Sequence, residues 1–132
     1  MIVFDVSALV SAVLKAGSVP AQALIEARAV DQLAISAEIE AELRRVLMRH
    51  KFDRYVSRAD REDFIGFVLA AAHRVQPTER VAACRDPNDD MYLEAAIAAD
   101  AHTIVSSDAD LLVLNPWRDI RIVGPGDYLR ST

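Results

Sequence analysis

The chain has few of the residues from which several common kinds of functional site are built. Its 132 residues include one cysteine, Cys84, which excludes an internal disulfide and a zinc site made of several thiolates. The four glycines do not form a loop of the kind that holds a nucleotide phosphate. The three histidines are not spaced as zinc ligands or as a catalytic base. Zinc enzymes, nucleotide-driven motors and serine hydrolases therefore have little support.

Long hydrophobic runs are also missing. Although 52% of the residues are hydrophobic, they come in short runs broken by charges, far below the roughly 18 consecutive apolar residues of a membrane span. The first residues enter a strand-like run without a basic segment or cleavage site, so we expect no signal peptide. The composition predicts a cytoplasmic protein without membrane contact that folds as a single domain over residues 1–132.

Short apolar runs alternate with amphipathic stretches along the chain. The predicted strands cover residues 2–4, 33–35, 81–83, 103–105 and 120–123. The predicted helices cover about 7–14, 21–29, 37–48, 58–73, 89–99 and 108–112, with short turns near 52–55 and 127–130. Such alternation predicts an α/β protein with a parallel sheet covered on both faces.

Two aspartates follow predicted strands directly. Asp5 comes after the strand at 2–4, and Asp108 comes shortly after the strand at 103–105. Because ligands of parallel sheets bind at the carboxyl ends of the strands, both carboxylates are expected at the same edge. Each also has a simpler interpretation, since an aspartate in this position caps the helix that follows.

Three polar residues are candidate accessories to these aspartates. Ser7 is able to cap the first helix in place of Asp5, or to donate a hydrogen bond to it. Ser106 is placed to orient an aspartate or a phosphate, and Asp110 is a weaker accessory to Asp108.

Two further acids have an inward direction on predicted helices. Glu42 lies three positions after Ile39 and four before Val46, at the edge of an apolar stripe. Asp90 lies three positions before Leu93, on the inward face of the next helix. Taken singly, Glu42 is interpreted as a partly exposed residue at the edge of the apolar stripe, and Asp90 as an acid that stabilises a helix N-terminus.

Taken together, Asp5, Glu42, Asp90 and Asp108 predict a metal site. Carboxylates gathered in one place repel one another and are costly to desolvate, so such a cluster persists mainly where cations neutralise it. Their hard oxygen atoms suit Mg²⁺ or Mn²⁺. Whether Asp89 or Asp110 also binds the metal stays open.

The basic residues are unevenly distributed. The net charge is −5, but seven of the fifteen basic residues lie between positions 44 and 61. The simple interpretation of this run is a solvated helical face. Beside an acidic metal cluster, it instead favours contacts to a phosphodiester backbone. The candidates are Arg45, Arg49, Lys51 and Arg54.

Four segments in this order and spacing resemble the PIN-domain family, specifically the VapC-like bacterial toxins of toxin–antitoxin pairs. The segments are Ile-Val-Phe-Asp-Val-Ser at 2–7, residues 36–47 around Glu42, Asp-Pro-Asn-Asp-Asp-Met-Tyr-Leu-Glu-Ala-Ala at 86–96, and Ile-Val-Ser-Ser-Asp-Ala-Asp-Leu-Leu at 104–112. One departure is Ser106-Ser107, where this branch of the family usually has Thr-Gly.

The resemblance implies a three-layer α/β/α sandwich with a central, mainly parallel sheet. It implies a ribonuclease dependent on Mg²⁺ or Mn²⁺ that hydrolyses RNA, with the acidic positions of the family at Asp5, Glu42, Asp90 and Asp108. A cognate antitoxin and a homodimer are the implied partners.

Two other functions are weighed against this one. A PIN-like fold without catalysis would serve as an interaction module. A haloacid-dehalogenase-like phosphotransferase also begins with an apolar strand and an aspartate, but it needs a second acid two residues later, where this chain has Ser7.

Overall fold

A computed structural model describes residues 1–131, which are built around a five-stranded sheet in the order β3-β2-β1-β4-β5. Neighbouring strands are parallel, and Phe4 at the end of β1 lies opposite Val105 at the end of β4. The strands are β1 (Ile2–Phe4), β2 (Leu33–Ile35), β3 (Ala72–Arg74), β4 (Thr103–Val105) and β5 (Arg121–Val123). The α/β/α fold with a parallel sheet that the sequence predicted is confirmed.

Helices connect the strands, and serine side chains begin three of them. Ser18, Ser36 and Ser57 each accept the backbone N–H three residues later, which satisfies a donor that has no partner within the helix. The helices are α1 (Val6–Leu14), α2 (Val19–Val30), α3 (Ala37–Leu47), α4 (Arg58–Ala71), α5 (Asp90–Ala99), α6 (Ala109–Leu112) and α7 (Pro125–Arg130), with 3₁₀ turns at His50–Phe52 and Pro87–Asp89.

One predicted strand is wrong and another was missed. The segment 81–83 is not a strand, because the backbone N–H groups of Val81 and Ala83 donate to the carboxylates of Glu94 and Asp90. The edge strand is instead β3, at the end of the region predicted as helix 58–73. Its sequence Ala-His-Arg has no apolar alternation, since it is partly exposed and is held mainly by pairing with β2.

The central strands and the inward faces of the helices form one core. The residues of β1, β2 and β4 are all buried, which explains why these short strands are almost wholly apolar. Ile39 and Leu43 of α3 and Leu93 of α5 add fully buried side chains. The core thus fixes the inward face of α3 and α5, the two helices on which Glu42 and Asp90 lie.

Arg61, the last basic residue of the run 44–61, belongs to this interior rather than to a basic surface. Its side chain is fully buried, and its guanidinium donates to the backbone oxygens of Leu47 and Arg49 at 2.9 and 3.3 Å. It also pairs with the carboxylate of Asp53. A buried charge persists only with such partners, so Arg61 holds the segment after α3 against α4.

Within residues 1–131, no single helix is long and apolar enough to cross a membrane; α1 and α2 pass that test only together, as a pair bent by 112°.

Candidate active site

A small cavity at the carboxyl ends of β1 and β4 collects acidic side chains. Its volume is about 240 Å³. Asp5 reaches it from the end of β1 and Asp108 from the loop after β4, because these two strands are neighbours in the sheet. The expectation that both aspartates lie at one edge is therefore met. The wall consists of Asp5, Val6, Ser7, Val10, Glu42, Val46, Asp89, Tyr92 and Asp108.

The carboxylate of Asp5 is buried and receives three hydrogen bonds. Only 2% of the residue is exposed. The backbone N–H of Ala8 donates to it at 2.9 Å, the hydroxyl of Ser7 donates at 2.7 Å, and the hydroxyl of Ser106 donates to the other oxygen. Asp5 is thus the cap of α1 as well as a wall of the cavity, and Ser7 is not the cap. Burial raises the pKa of Asp5, although the donors Ser106, Ala8 and Ser7 oppose this rise.

Two serine hydroxyls connect the beginning of α1 to the loop after β4. The Ser106 hydroxyl accepts the Asp108 N–H at 2.9 Å, and the Ser7 hydroxyl accepts the Ser107 N–H at 3.2 Å. Since both hydroxyls also donate to Asp5, they tie Asp5 and the Asp108 backbone into one arrangement. Ser107, where the resemblance implied a glycine, does not have a positive φ.

Asp108 and Asp110 have different positions. The Asp108 carboxylate accepts the Asp110 N–H at 2.9 Å, so it caps α6 while it lines the cavity. The Asp110 carboxylate lies outside the cavity and is 3.6 Å from the guanidinium of Arg85. The structure therefore separates the predicted accessory Asp110 from the other acids.

Asp90 and Asp89 line different cavities: Asp90 lines a neighbouring one together with Glu42, and Asp89 lines the small one. Asp90 is buried, as its inward direction predicted, but its carboxylate accepts the N–H groups of Ala83 and Cys84 at 3.1 and 2.8 Å. Burial raises the pKa of Asp90, and these two donors lower it by more. Its neighbour Asp89 lines the cavity instead.

The reason for this difference is local. Counting back from Leu93 assumes that α5 keeps its helical phase up to the aspartates. Asp89, however, ends the 3₁₀ turn Pro87–Asp89, and this turn directs its side chain towards Asp108. The adjacent pair of acids was visible in the sequence, but helical periodicity alone did not distinguish them.

Asp89 is an acid whose proton affinity depends strongly on its surroundings. Burial, followed by the charges of Asp108, Asp86 and Asp5, raises the pKa of Asp89 to about 7. A hydrogen bond to Asp108 contributes in the same direction, because it requires a proton between the two carboxyl groups. The cavity therefore attracts positive charge. A proton bound to Asp89 partly neutralises the repulsion between the carboxylates.

Glu42 reaches the cavity from α3 but also faces solvent. Its carboxylate accepts two hydrogen bonds from the Arg45 guanidinium, at 2.8 and 3.0 Å. The predicted RNA contact Arg45 is thus paired with a predicted metal ligand. The other candidate RNA contacts, Arg49, Lys51 and Arg54, are exposed on the segment after α3.

The acids of the cavity are not arranged as a finished metal site. No group of three or more histidine, cysteine, aspartate or glutamate side chains within residues 1–131 has a geometry that could hold an ion. The donors are nevertheless carboxylate oxygens on one wall, and among Asp5, Asp89 and Asp108 no ion pair to a basic side chain is formed. This chemistry fits a hard divalent cation.

Sequence reasoning missed one further residue of the wall, Tyr92. It is 4% exposed, and its hydroxyl oxygen accepts the Val6 N–H at 3.2 Å. An aromatic residue on an apolar helix face is usually part of the core, so its position beside Leu93 gave no signal of a site.

The family of this fold follows from comparison with known proteins. The PIN-domain family model matches residues 1–110, and the chain belongs to this family. Among solved structures, the chain is similar to VapC20 of Mycobacterium tuberculosis, described as a toxin that cleaves the sarcin-ricin loop. The TM-score is 0.59 at 14% identity, over 92% of this chain and 99% of VapC20. At this identity the likeness shows a shared fold. No curated protein matches the sequence.

Proposed function

We propose that this protein is an endoribonuclease dependent on Mg²⁺ or Mn²⁺ and the toxin of a toxin–antitoxin pair. The observation that carries the proposal is the cavity walled by Asp5, Glu42, Asp89 and Asp108 in a PIN domain. The raised pKa of Asp89, caused first by burial and then by the neighbouring carboxylates, supports a cation-binding role for this wall.

Asp5, Asp89 and Asp108 would hold the ion, with Glu42 joining them when it leaves Arg45. When bound, such an ion polarises the phosphate and lowers the pKa of a water molecule, which then attacks the phosphorus atom more readily. We assign the ligand role to Asp89 rather than to Asp90, because Asp89 lines the small cavity with Asp5 and Asp108 and Asp90 does not.

The side chains of the cavity support hydrolysis by water. Ser7 is the one hydroxyl of the wall apart from Tyr92, and it acts as a support for Asp5, since it donates to the Asp5 carboxylate and accepts the Ser107 N–H. Ser7 and Ser106 keep the Asp5 carboxylate in one orientation. The exposed cations Arg49, Lys51 and Arg54 would contact the RNA backbone, with Arg45 joining them once separated from Glu42.

The proposed partners follow from the toxin assignment. VapC20, which shares the fold, is described as a toxin that cleaves the sarcin-ricin loop. By analogy we propose an RNA substrate, a cognate antitoxin and a homodimer, in the cytoplasm. The non-catalytic module remains the competing function, and it predicts neither cation binding nor RNA cleavage.

The substitution Asp5→Asn tests the proposal. We expect it to abolish Mn²⁺-dependent cleavage of RNA and to weaken Mn²⁺ binding in a calorimetric titration, while circular dichroism shows a retained fold. In the wild type, Mn²⁺ at 100 times its Kd should add about 2.7 kcal/mol of stability by mass action, seen as a higher melting temperature.

Asp63→Asn, on the exposed face of α4, is the matched control and should behave as the wild type. An Asp5→Asn protein that cleaves RNA as fast as the control contradicts the site. A melting temperature that does not change over a Mn²⁺ series, together with no cleavage by the wild type, favours the non-catalytic module.

A further inference from the structure

The hydroxyl of Tyr92 is held at a defined point of the acidic cavity. Its oxygen accepts the N–H of Val6, the first residue of α1. A helix leaves this N–H without an internal acceptor, so the bond gives it a partner and places the oxygen next to Asp5. Tyr92 itself is 4% exposed on the buried side of α5, which leaves the ring little freedom.

In its contact with Val6, the Tyr92 oxygen accepts a hydrogen bond, so this contact does not use the hydroxyl hydrogen. Among residues 1–131, this hydrogen has no acceptor. The nearby Asp5 carboxylate is already supplied by Ser7, Ala8 and Ser106. Because Tyr92 lines the cavity, this hydrogen is available to an acceptor that enters it.

The hydroxyl also keeps its hydrogen at neutral pH. Burial, followed by the negative charge of Asp5 and other carboxylates of the wall, raises the pKa of Tyr92 above its ordinary value. Tyr92 therefore remains a neutral donor in a cavity where most other polar groups are acceptors.

The size and chemistry of the cavity narrow the choice of occupant. Its volume of about 240 Å³ is below the roughly 300–1,000 Å³ of pockets that enclose a whole small molecule. A phosphate group with its bound cation fits within this volume. The non-bridging oxygens of a phosphodiester only accept hydrogen bonds, and they carry the negative charge that makes such bonds strong.

We propose that Tyr92 is a substrate-contacting residue whose hydroxyl donates a hydrogen bond to a non-bridging oxygen of the scissile phosphodiester of RNA. This inference rests on the proposed ribonuclease function and adds a residue that the four acids do not include. The carboxylates bring the cation, and Tyr92 provides a neutral donor on the same wall.

The substitution Tyr92→Phe keeps the ring and removes the hydroxyl. We expect kcat/KM for Mn²⁺-dependent RNA cleavage to fall about 10- to 100-fold, as for a lost hydrogen bond to a charged group. The Mn²⁺ affinity, measured by calorimetry, should stay within about twofold, because the carboxylates are intact. Tyr128→Phe, at a tyrosine that is also buried but lies on α7 outside the cavity, is the control and should leave both quantities unchanged.

Two results overturn the inference: cleavage by Tyr92→Phe at the wild-type rate, or a Mn²⁺ affinity that falls in parallel with cleavage. The second result would make Tyr92 a support for the carboxylates instead. A wild type that neither binds Mn²⁺ nor cleaves RNA contradicts the proposed function itself, and this inference fails with it.

A second measurement covers the case in which Tyr92→Phe does not fold. The chain has three tyrosines, at 55, 92 and 128, so fluorotyrosine labelling gives three ¹⁹F NMR signals, assigned with Tyr55→Phe and Tyr128→Phe. With Mg²⁺ present, inorganic phosphate should shift the Tyr92 signal selectively. Titration without a selective shift overturns the inference.

Discussion

Carboxylates at the two ends of the sheet have opposite surroundings. At the end where the strands begin, Asp31 has favourable partners: the Met1 amine is 3.4 Å from it and the Nε2 atom of His102 is 2.5 Å away. At the other end, Asp5, Asp89 and Asp108 face one another. A carboxylate is therefore stabilised by its partners at one end of the sheet and destabilised by neighbouring carboxylates at the other.

The effect on proton affinity is opposite at the two ends. Burial raises the pKa of Asp31, but the hydrogen bonds from Gln32 and His102 and the charge of the Met1 amine outweigh it, so the result is a lowered pKa. At the other end, burial and neighbouring charges raise the pKa of Asp89 to about 7. Asp31 thus stabilises the fold in its charged form, whereas the acids of the cavity do so only with a proton or a cation.

The largest expected effect separates Asp89 from Asp90. Asp89→Asn should reduce RNA cleavage by more than the about 10- to 100-fold that the loss of a supporting partner of a metal site costs. It should leave the metal-free fold at least as stable, because repulsion is removed. Asp90→Ala should instead destabilise the fold by about 1–3 kcal/mol, since the Ala83 and Cys84 N–H groups lose their acceptor.

For both variants, the rate of RNA cleavage measures activity, and unfolding in denaturant measures the free energy of unfolding. The assignment of Asp89 is wrong if Asp89→Asn cleaves as the wild type does while Asp90→Ala is stable and inactive.

The second prediction concerns pH without metal. The pKa of Asp89 is about 7 in the fold, against 3.8 for an ordinary aspartate, because of burial and the nearby carboxylates. Between these values the folded state binds the proton and the unfolded state does not, so stability falls as the pH rises from about 4 to about 7. Wild-type unfolding at pH 5 and pH 8 should show this loss, and Asp89→Asn should show less of it. An equal pH dependence for the two proteins contradicts the repulsion at this end of the sheet.

The smallest effect is expected at the opposite end. A lowered pKa in the fold means that Asp31 contributes stability above its unfolded value of 3.8, and that this contribution is lost as the pH falls. Asp31→Asn should therefore cost up to about 1 kcal/mol at neutral pH, the range of a partly exposed ion pair. RNA cleavage should not change. A variant that is more stable than the wild type would show that Asp31, like Asp89, is under repulsion.

Much of the fold was predictable because its central strands are apolar on both sides. The strands β1, β2 and β4 coincide with the predicted runs, and the helices α3 and α4 begin at the predicted positions 37 and 58, after the capping serines Ser36 and Ser57. The edge strand β3 was not predictable in this way. Its residues are held by backbone pairing with β2, and such pairing leaves little pattern in the sequence.

The candidate site was predictable to a similar degree. Asp5 and Asp108 follow strands, and the rule for parallel sheets brings strand ends together without further information. The bonds from Ser106 to Asp5 depend on β1 and β4 being neighbours, which the chain order does not state. Asp89 depends on a 3₁₀ turn, where helical counting does not apply.

By itself, the sequence determined the class of the protein and the acidic side chains of its candidate site. Apolar runs set which elements are buried, and acids at strand ends supply the oxygens, because both follow from local patterns of hydrophobicity and charge. Only the tertiary structure decided which acids share the cavity and that the Tyr92 hydroxyl faces it. The direction of a side chain depends on turns and on packing between distant segments, and a pattern read along one segment does not contain these contacts.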